Sequence, residues 1–225
     1  MPAQSRNTSL LTAGGWVRHA QRVPSPNHNA RPAGTEVSLL VIHNISLPPG
    51  KFGGSWIADL FCNRLDHDAH PFFATLRGLE VSAHFLVRRD GSLVQFVSID
   101  ERAWHAGKSS FDGRENCNDF SIGIELEGTD DRPFTQRQYR RLVALSVLLL
   151  RACPGITPER VVGHSDIAPG RKTDPGPCFD WPRYRAALAA RLADKPAAAR
   201  CDRSPHAARP GRQNKPVRLK KTDRR

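Results

Sequence analysis

What the chain lacks narrows it first. No apolar run approaches the roughly 18 residues that cross a bilayer, so nothing in it reads as a membrane span. The N-terminus, MPAQSRNTSLLTAGGWVRHAQRV, offers only Leu10 and Leu11 as an apolar centre. A secretory signal needs about 7–15 such residues, so we expect a cytoplasmic protein. The five cysteines (Cys62, Cys117, Cys153, Cys178 and Cys201) are odd in number, scattered, and never spaced C-x-x-C. That argues against a disulfide framework or a Cys-type structural zinc site and predicts reduced thiols. No internal repeat is visible.

Acidic residues are scarce in one place only. The net charge is +12, yet residues 195–225 hold eleven Lys or Arg against Asp202 and Asp223, a local +9, which leaves +3 for residues 1–194. The tail, CDRSPHAARPGRQNKPVRLKKTDRR, has almost no apolar groups to offset the entropy of ordering it. We therefore expect a flexible N-terminus over 1–13, one domain over 14–194, and a disordered basic tail over 195–225. The tail permits non-specific polyanion contacts. The domain itself carries no nucleic-acid or membrane signal, and a monomer is expected.

Within the domain, SLLVIH (38–43) reads as a buried strand ending at His43. A long stretch over 47–79, rich in Gly, Pro and Asp, reads mainly as surface loop with a short helix near Trp56–Phe61. In VSAHFLVRRDGSLVQFV (81–97), Asp90-Gly91 between two alternating runs predicts a hairpin. FSIGIELEG (120–128) alternates strictly, with Phe120, Ile122, Ile124 and Leu126 on one face and Ser121, Gly123, Glu125 and Glu127 on the other. The spacing predicts a helix over 135–155, capped by Thr135 with Gln138, and a last helix over 182–193. Strands interleaved with helices, one hairpin included, imply an α/β fold with a central mixed β-sheet flanked by helices.

The segment VVGHSDIAPGRKTDPGPC (161–178) is too broken by proline for a helix and too polar for a buried strand. It reads as a held loop that presents side chains. His43 ends a strand, Glu125 sits on a strand face, and His164, Lys172 and Asp174 lie in this loop; two imidazoles and one carboxylate are the donor set of a catalytic zinc site. Such an ion makes a water nucleophilic near neutral pH. A carboxylate that does not ligate can move its proton, and a lysine such as Lys172 can stabilise a developing oxyanion. These are the parts of a metal-assisted amide hydrolase. Alternation leaves Glu125 and Glu127 equally placed for the acid–base role.

VIHNISLPPG, VSAHFLVRRDG, RAWHAG, NDFSIGIELEGTD and VVGHSDIAPGRKTDPGP together resemble the zinc-dependent N-acetylmuramoyl-L-alanine amidases of the amidase-2 family. The resemblance covers about residues 14–188 and omits the tail. It implies a Zn2+ cofactor held by His43, His164 and Asp174, with Glu125 as general base and Lys172 as oxyanion stabiliser. Some members use a cysteine as third ligand; here Asp174 holds that position, and Cys178 is a bystander four residues on. The implied substrate is a muropeptide, cleaved at the amide between (1,6-anhydro-)N-acetylmuramic acid and L-alanine, in peptidoglycan recycling. The implied fold is that of peptidoglycan recognition proteins and phage amidases. Asn44, His105 and Arg114 are candidate substrate contacts. Against these stand a strand-end turn role for Asn44 and a solvated role for Arg114, while His84 reads as a satisfied strand histidine. The alternative function is a non-catalytic muropeptide-binding module of the same fold.

Overall fold

Leu39, Leu40, Val41 and Ile42 form an unbroken apolar run, and a strand apolar on both faces must be covered on both. The computed structural model describes residues 10–194; residues 1–9 and 195–225, including the whole basic tail, lie outside the described residues. In chain order the strands are β1 (Gln21–Arg22), β2 (His28–Asn29), β3 (Leu39–Ile45), β4 (Phe85–Val87), β5 (Leu93–Gln95), β6 (Arg102–Ala103), β7 (Ser110–Phe111), β8 (Arg114–Glu115), β9 (Ser121–Glu127) and β10 (Val161–Gly163). The helices are α1 (Trp56–Phe61), α2 (Pro71–Ala74), α3 (Gln136–Ala152), α4 (His164–Ile167) and α5 (Trp181–Ala193).

Six strands form one sheet in the order β1-β5-β4-β9-β3-β10. Only β4 and β5 pair antiparallel, so the expected mixed sheet is observed. One face is covered by α3 and α5, whose Leu142, Leu145, Leu149 and Tyr184 pack on Leu40, Ile42, Ile122, Ile124 and Leu126. Thr135 and Gln138 close the expected capping box at the start of α3, and Asp180 caps α5.

The other face is covered by two separate patches. Ile57, Leu60, Phe61 and Phe73 of the 47–79 segment pack on Leu86, Val94 and Phe96. Leu39 and Val41 pack with Cys117, Phe120 and Ile167. Between the patches the same face carries His43 of β3 and Ser121, Glu125 and Glu127 of β9, and the site forms there.

Several expectations need correction. β3 continues past His43 to Ile45, so His43 is a strand-interior residue. The 161–178 segment is not all loop: Val161–Gly163, apolar and ahead of the first proline, pairs with β3, and His164–Ile167 makes one helical turn. The 47–79 segment is more than surface loop, because α1 and α2 bury its aromatics. The hairpin spans only β4 and β5, with Gly91 at φ +82° in its turn. Phe120 precedes β9 and packs with the second patch rather than with Ile122 and Ile124. Leu11, assigned to the flexible N-terminus, is 5 % exposed and belongs to the α3–α5 core. Among the described residues no cysteine is in a disulfide; Cys201 lies outside them.

Candidate active site

Sheet order brings the chemistry together. β9, β3 and β10 are neighbouring parallel strands; Glu125 pairs in register with His43, and Gly163 with Ile42. Glu125, His43 and His164 therefore stand side by side toward the carboxyl ends of these strands, where open α/β sheets bind ligands. Asp174 returns to the cluster because its carbonyl accepts the Ser165 N–H at 3.0 Å. A Cβ on Gly163 would lie 2.8 Å from Pro175, so the close approach of this loop to the strand end requires glycine there.

Three donor atoms converge. His43 Nδ1 and His164 Nδ1 are 3.0 Å apart, and each is 3.1 Å from Asp174 Oδ2. A tetrahedral zinc with bonds of about 2.0–2.1 Å spaces its ligand atoms about 3.3 Å apart, so the triangle has the right size. The opposite ring nitrogens are occupied. His164 Nε2 donates to Ala106 O at 3.1 Å, and His43 Nε2 lies 2.9 Å from His105 Nδ1. With hydrogens on both Nε2 atoms, two Nδ1 lone pairs and a carboxylate face one another, an arrangement that needs a cation.

Charge states agree with this donor set. Burial lowers the His43 imidazole to about 4, against the pull of Asp174, so it is neutral and able to ligate near pH 7. Burial alone would raise the Asp174 carboxyl, but the His164 and His43 imidazoles packed against it outweigh that and hold Asp174 well below the usual carboxylate range. These three residues are the His/Cys/Asp/Glu cluster that could hold a metal among the described residues.

Glu125 is the buried carboxyl beside the triangle. Its Oε2 has no hydrogen-bond partner among the described residues. Burial, then the Asp174 carboxylate, raise it well above the ordinary value, with Lys172 opposing. Such a carboxyl can both accept and return a proton. Glu127 is different: Oε1 accepts the Gly53 N–H at 2.6 Å and Oε2 accepts the Arg89 N–H at 3.0 Å. It is committed to holding loops. Lys172, exposed on the loop after α4, lines the same groove of about 610 Å³ together with Glu125, Asp174 and both histidines.

The expected substrate contacts fare differently. Asn44 spends its amide hydrogens on Asp130 Oδ1 at 2.6 Å and Pro175 O at 3.1 Å, which ties down the segment bearing Asp174. His105 has both ring nitrogens engaged, by His43 and by Ser121 Oγ. Arg114 stacks on Phe120 at 3.8 Å and reaches Ser38, beside the start of β3 and away from the groove lining. His84 is a satisfied buried histidine as expected, accepting the Gly123 N–H at 3.0 Å and facing Glu101 O.

Two residues escaped the sequence reading. Arg171 donates to Ala106 O at 2.7 Å and to Lys108 O, holding the carbonyl that orients His164. Buried Asn118 accepts the N–H groups of His105 and Ala106 at 3.0 and 2.8 Å. RKTDPG and CNDF give no local sign of these long-range carbonyl and amide partners.

A His–His–Asp donor set with a buried carboxyl beside it, lining an open groove, supplies the groups that a metal-assisted hydrolase uses. Residues 33–177 match the Amidase_2 family, described as N-acetylmuramoyl-L-alanine amidase, and the chain belongs to that family. It is 58 % identical over 180 residues to the 1,6-anhydro-N-acetylmuramyl-L-alanine amidase AmpD of Salmonella typhimurium SL1344, covering 80 % of this chain and 96 % of the relative. Identity to the Escherichia coli K12 AmpD is 57 % over 176 residues, covering 78 % and 96 %. A crystal structure of a selenomethionine AmpD derivative superposes with a TM-score of 0.77 at 57 % identity, covering 80 % of this chain and 99 % of that one. The E. coli amidase AmiD, solved with anhydro-N-acetylmuramic acid-L-Ala-D-gamma-Glu-L-Lys, is 32 % identical with a TM-score of 0.51, covering 70 % and 60 %. Among the described residues no helix is long and apolar enough to cross a membrane.

Proposed function

We propose that this amidase is zinc-dependent and hydrolyses the amide between (1,6-anhydro-)N-acetylmuramic acid and L-alanine of peptidoglycan-derived muropeptides, in cell-wall recycling in the cytoplasm. The observation that carries the reading is the triangle of His43, His164 and Asp174 donors with the partnerless Glu125 Oε2 beside it. The names of the AmpD relatives and the substrate bound to AmiD support the substrate class.

His43, His164 and Asp174 hold the ion. Zinc bound there supplies Lewis acidity, lowering the pKa of a water from about 16 to about 7. Glu125 takes the proton of the attacking water and returns it to the departing alanine nitrogen, which leaves as an amine. Its buried, raised carboxyl suits that return step. Lys172 turns its ammonium toward the oxyanion that forms as the carbonyl carbon becomes tetrahedral. The open groove, walled by Leu47, Phe72, Leu76 and Trp104, receives the muropeptide. Every group invoked comes from one chain, so a monomer suffices.

The test is to incubate purified protein with an anhydro-muropeptide, with and without chelator, and identify products by mass. Free peptide with an N-terminal alanine and free anhydro-sugar are expected only with metal. Binding without cleavage in zinc-loaded protein would instead support the non-catalytic module.

A further inference from the structure

Four hydrogen-bonding groups run in line from the ligand triangle into the core. His43 Nε2 meets His105 Nδ1 at 2.9 Å, His105 Nε2 meets Ser121 Oγ at 3.1 Å, and Ser121 Oγ meets the Cys117 carbonyl at 2.5 Å. Each imidazole and the hydroxyl can donate or accept, so the first three groups alone could be polarised either way. The carbonyl can only accept. Ser121 must therefore donate to Cys117 O and accept from His105 Nε2–H. That leaves His105 Nδ1 as the acceptor for His43 Nε2–H, and the His43 Nδ1 lone pair faces Asp174 and His164. With the opposite polarity a hydrogen would sit on His43 Nδ1, inside the triangle.

We propose that His105 and Ser121 are positioning residues that fix the ligating tautomer of His43, with the acceptor-only Cys117 carbonyl deciding the direction of the whole chain. This rests on the zinc reading above and deepens it. Two further features hold the chain in place. Asn118 pins the backbone of His105 and Ala106 through one oxygen, so the partners that orient His43 and His164 are set from a single point. Gly123 leaves room for the His105 ring: a Cβ there would lie 2.5 Å from His105 Cγ and 2.6 Å from Nδ1. His84, whose ring centroid is 5.7 Å from that of His105, has its nitrogens on Gly123 N–H and Glu101 O and stands outside the chain.

The test uses the full chain with 15N-labelled histidine. In metal-free wild type, His43 should show the pure Nε2–H tautomer, and zinc affinity is then measured by chelator competition. Ser121→Ala removes the group that transmits direction, so His43 should become a mixture of tautomers and zinc affinity should fall about tenfold. His105→Phe should cost about 10- to 100-fold, the usual range for partners of a metal-bound histidine. Ser121→Thr keeps the hydroxyl and should restore the wild-type tautomer. If His105→Phe does not fold, the two Ser121 variants decide alone. Unchanged His43 spectra and zinc affinity in Ser121→Ala would overturn the proposal. So would equal losses in Ser121→Ala and Ser121→Thr with the His43 tautomer unaltered, since packing would then be the cause. If wild type binds no zinc, the metal reading fails, and the tautomer spectra still judge the chain on their own.

Discussion

At the C-terminal end of β9, Glu127 is 2 % exposed and both its carboxylate oxygens accept backbone N–H groups, from Gly53 and Arg89. Two residues earlier on the same face, Glu125 is nearly as buried at 9 %, yet its Oε2 has no partner among the described residues. Burial without a partner costs free energy that a purely structural residue would not keep. On the proposed mechanism, the difference separates a carboxylate that stabilises the fold from one held ready for a proton. The protein thus uses one strand for both purposes, at positions that look alike in one dimension.

The largest effect available should come from the donor triangle that gives Glu125 its setting. His43→Ala, His164→Ala or Asp174→Ala should each weaken zinc binding and abolish turnover, read by metal content and by product release. Any of the three retaining full activity without metal would remove the distinction between Glu125 and Glu127.

Next comes Lys172. An ammonium that meets charge chiefly in the transition state changes kcat more than KM. Lys172→Ala should therefore lower kcat by about 10²–10³, by analogy with other oxyanion donors. A loss confined to KM would recast it as a binding residue.

Glu127→Ala should act on stability. It strips charge-assisted partners from two N–H groups, at a cost of about 2–4 kcal/mol. Thermal unfolding should shift down by several degrees, while kcat falls by less than about tenfold. A catalytic defect with unchanged unfolding would reverse the assignment.

Titration sharpens the contrast further. In metal-free protein the Glu125 carboxyl should lose its proton well above the ordinary value, because burial and the Asp174 charge disfavour the anion. Loading with zinc should move that pKa down, since a nearby cation favours the anion. Carboxyl NMR across a pH series reads both; a Glu125 pKa indifferent to zinc would place it outside the field of the ion.

The smallest effect concerns the basic tail. A chain ending at Asp194 should fold, bind zinc and turn over uncharged muropeptide analogues at close to the full-length rate. Any electrostatic help with carboxylate-bearing substrates should fade near 0.15 M salt, where the Debye length is about 8 Å.

Much of this was legible in the sequence, and the physical reasons are specific. Strict alternation in SIGIELE marked β9 and its polar face. Thr135 with Gln138 marked the start of α3, and Asp90-Gly91 marked the β4–β5 turn. The imidazoles of His43 and His164 with a nearby carboxylate suggested a metal, the family resemblance put Asp174 in the third place, and the fold brings all three within contact. Alternation has a period of two, however, so it could not tell Glu125 from Glu127. That distinction depends on Gly53 and Arg89, 74 and 38 residues away from Glu127 along the chain. Distance along the chain also concealed the role of His105, whose partners lie 62 residues before it and 16 after it. Val161–Gly163 went unread as a strand because three residues carry too little period to register, and parallel pairing with β3 supplies the missing information.

The most direct measurement compares Glu125→Ala and Glu127→Ala side by side in zinc-loaded protein, with turnover, metal content and thermal unfolding read on the same samples. Glu125→Ala should keep its zinc and unfold no earlier than wild type, yet lose about 10²–10⁴ in rate, the usual worth of a general acid–base group. Glu127→Ala should unfold earlier and retain most of its turnover. If Glu125→Ala keeps wild-type turnover while Glu127→Ala loses it, the proton carrier on β9 is Glu127 and the account of the site is wrong.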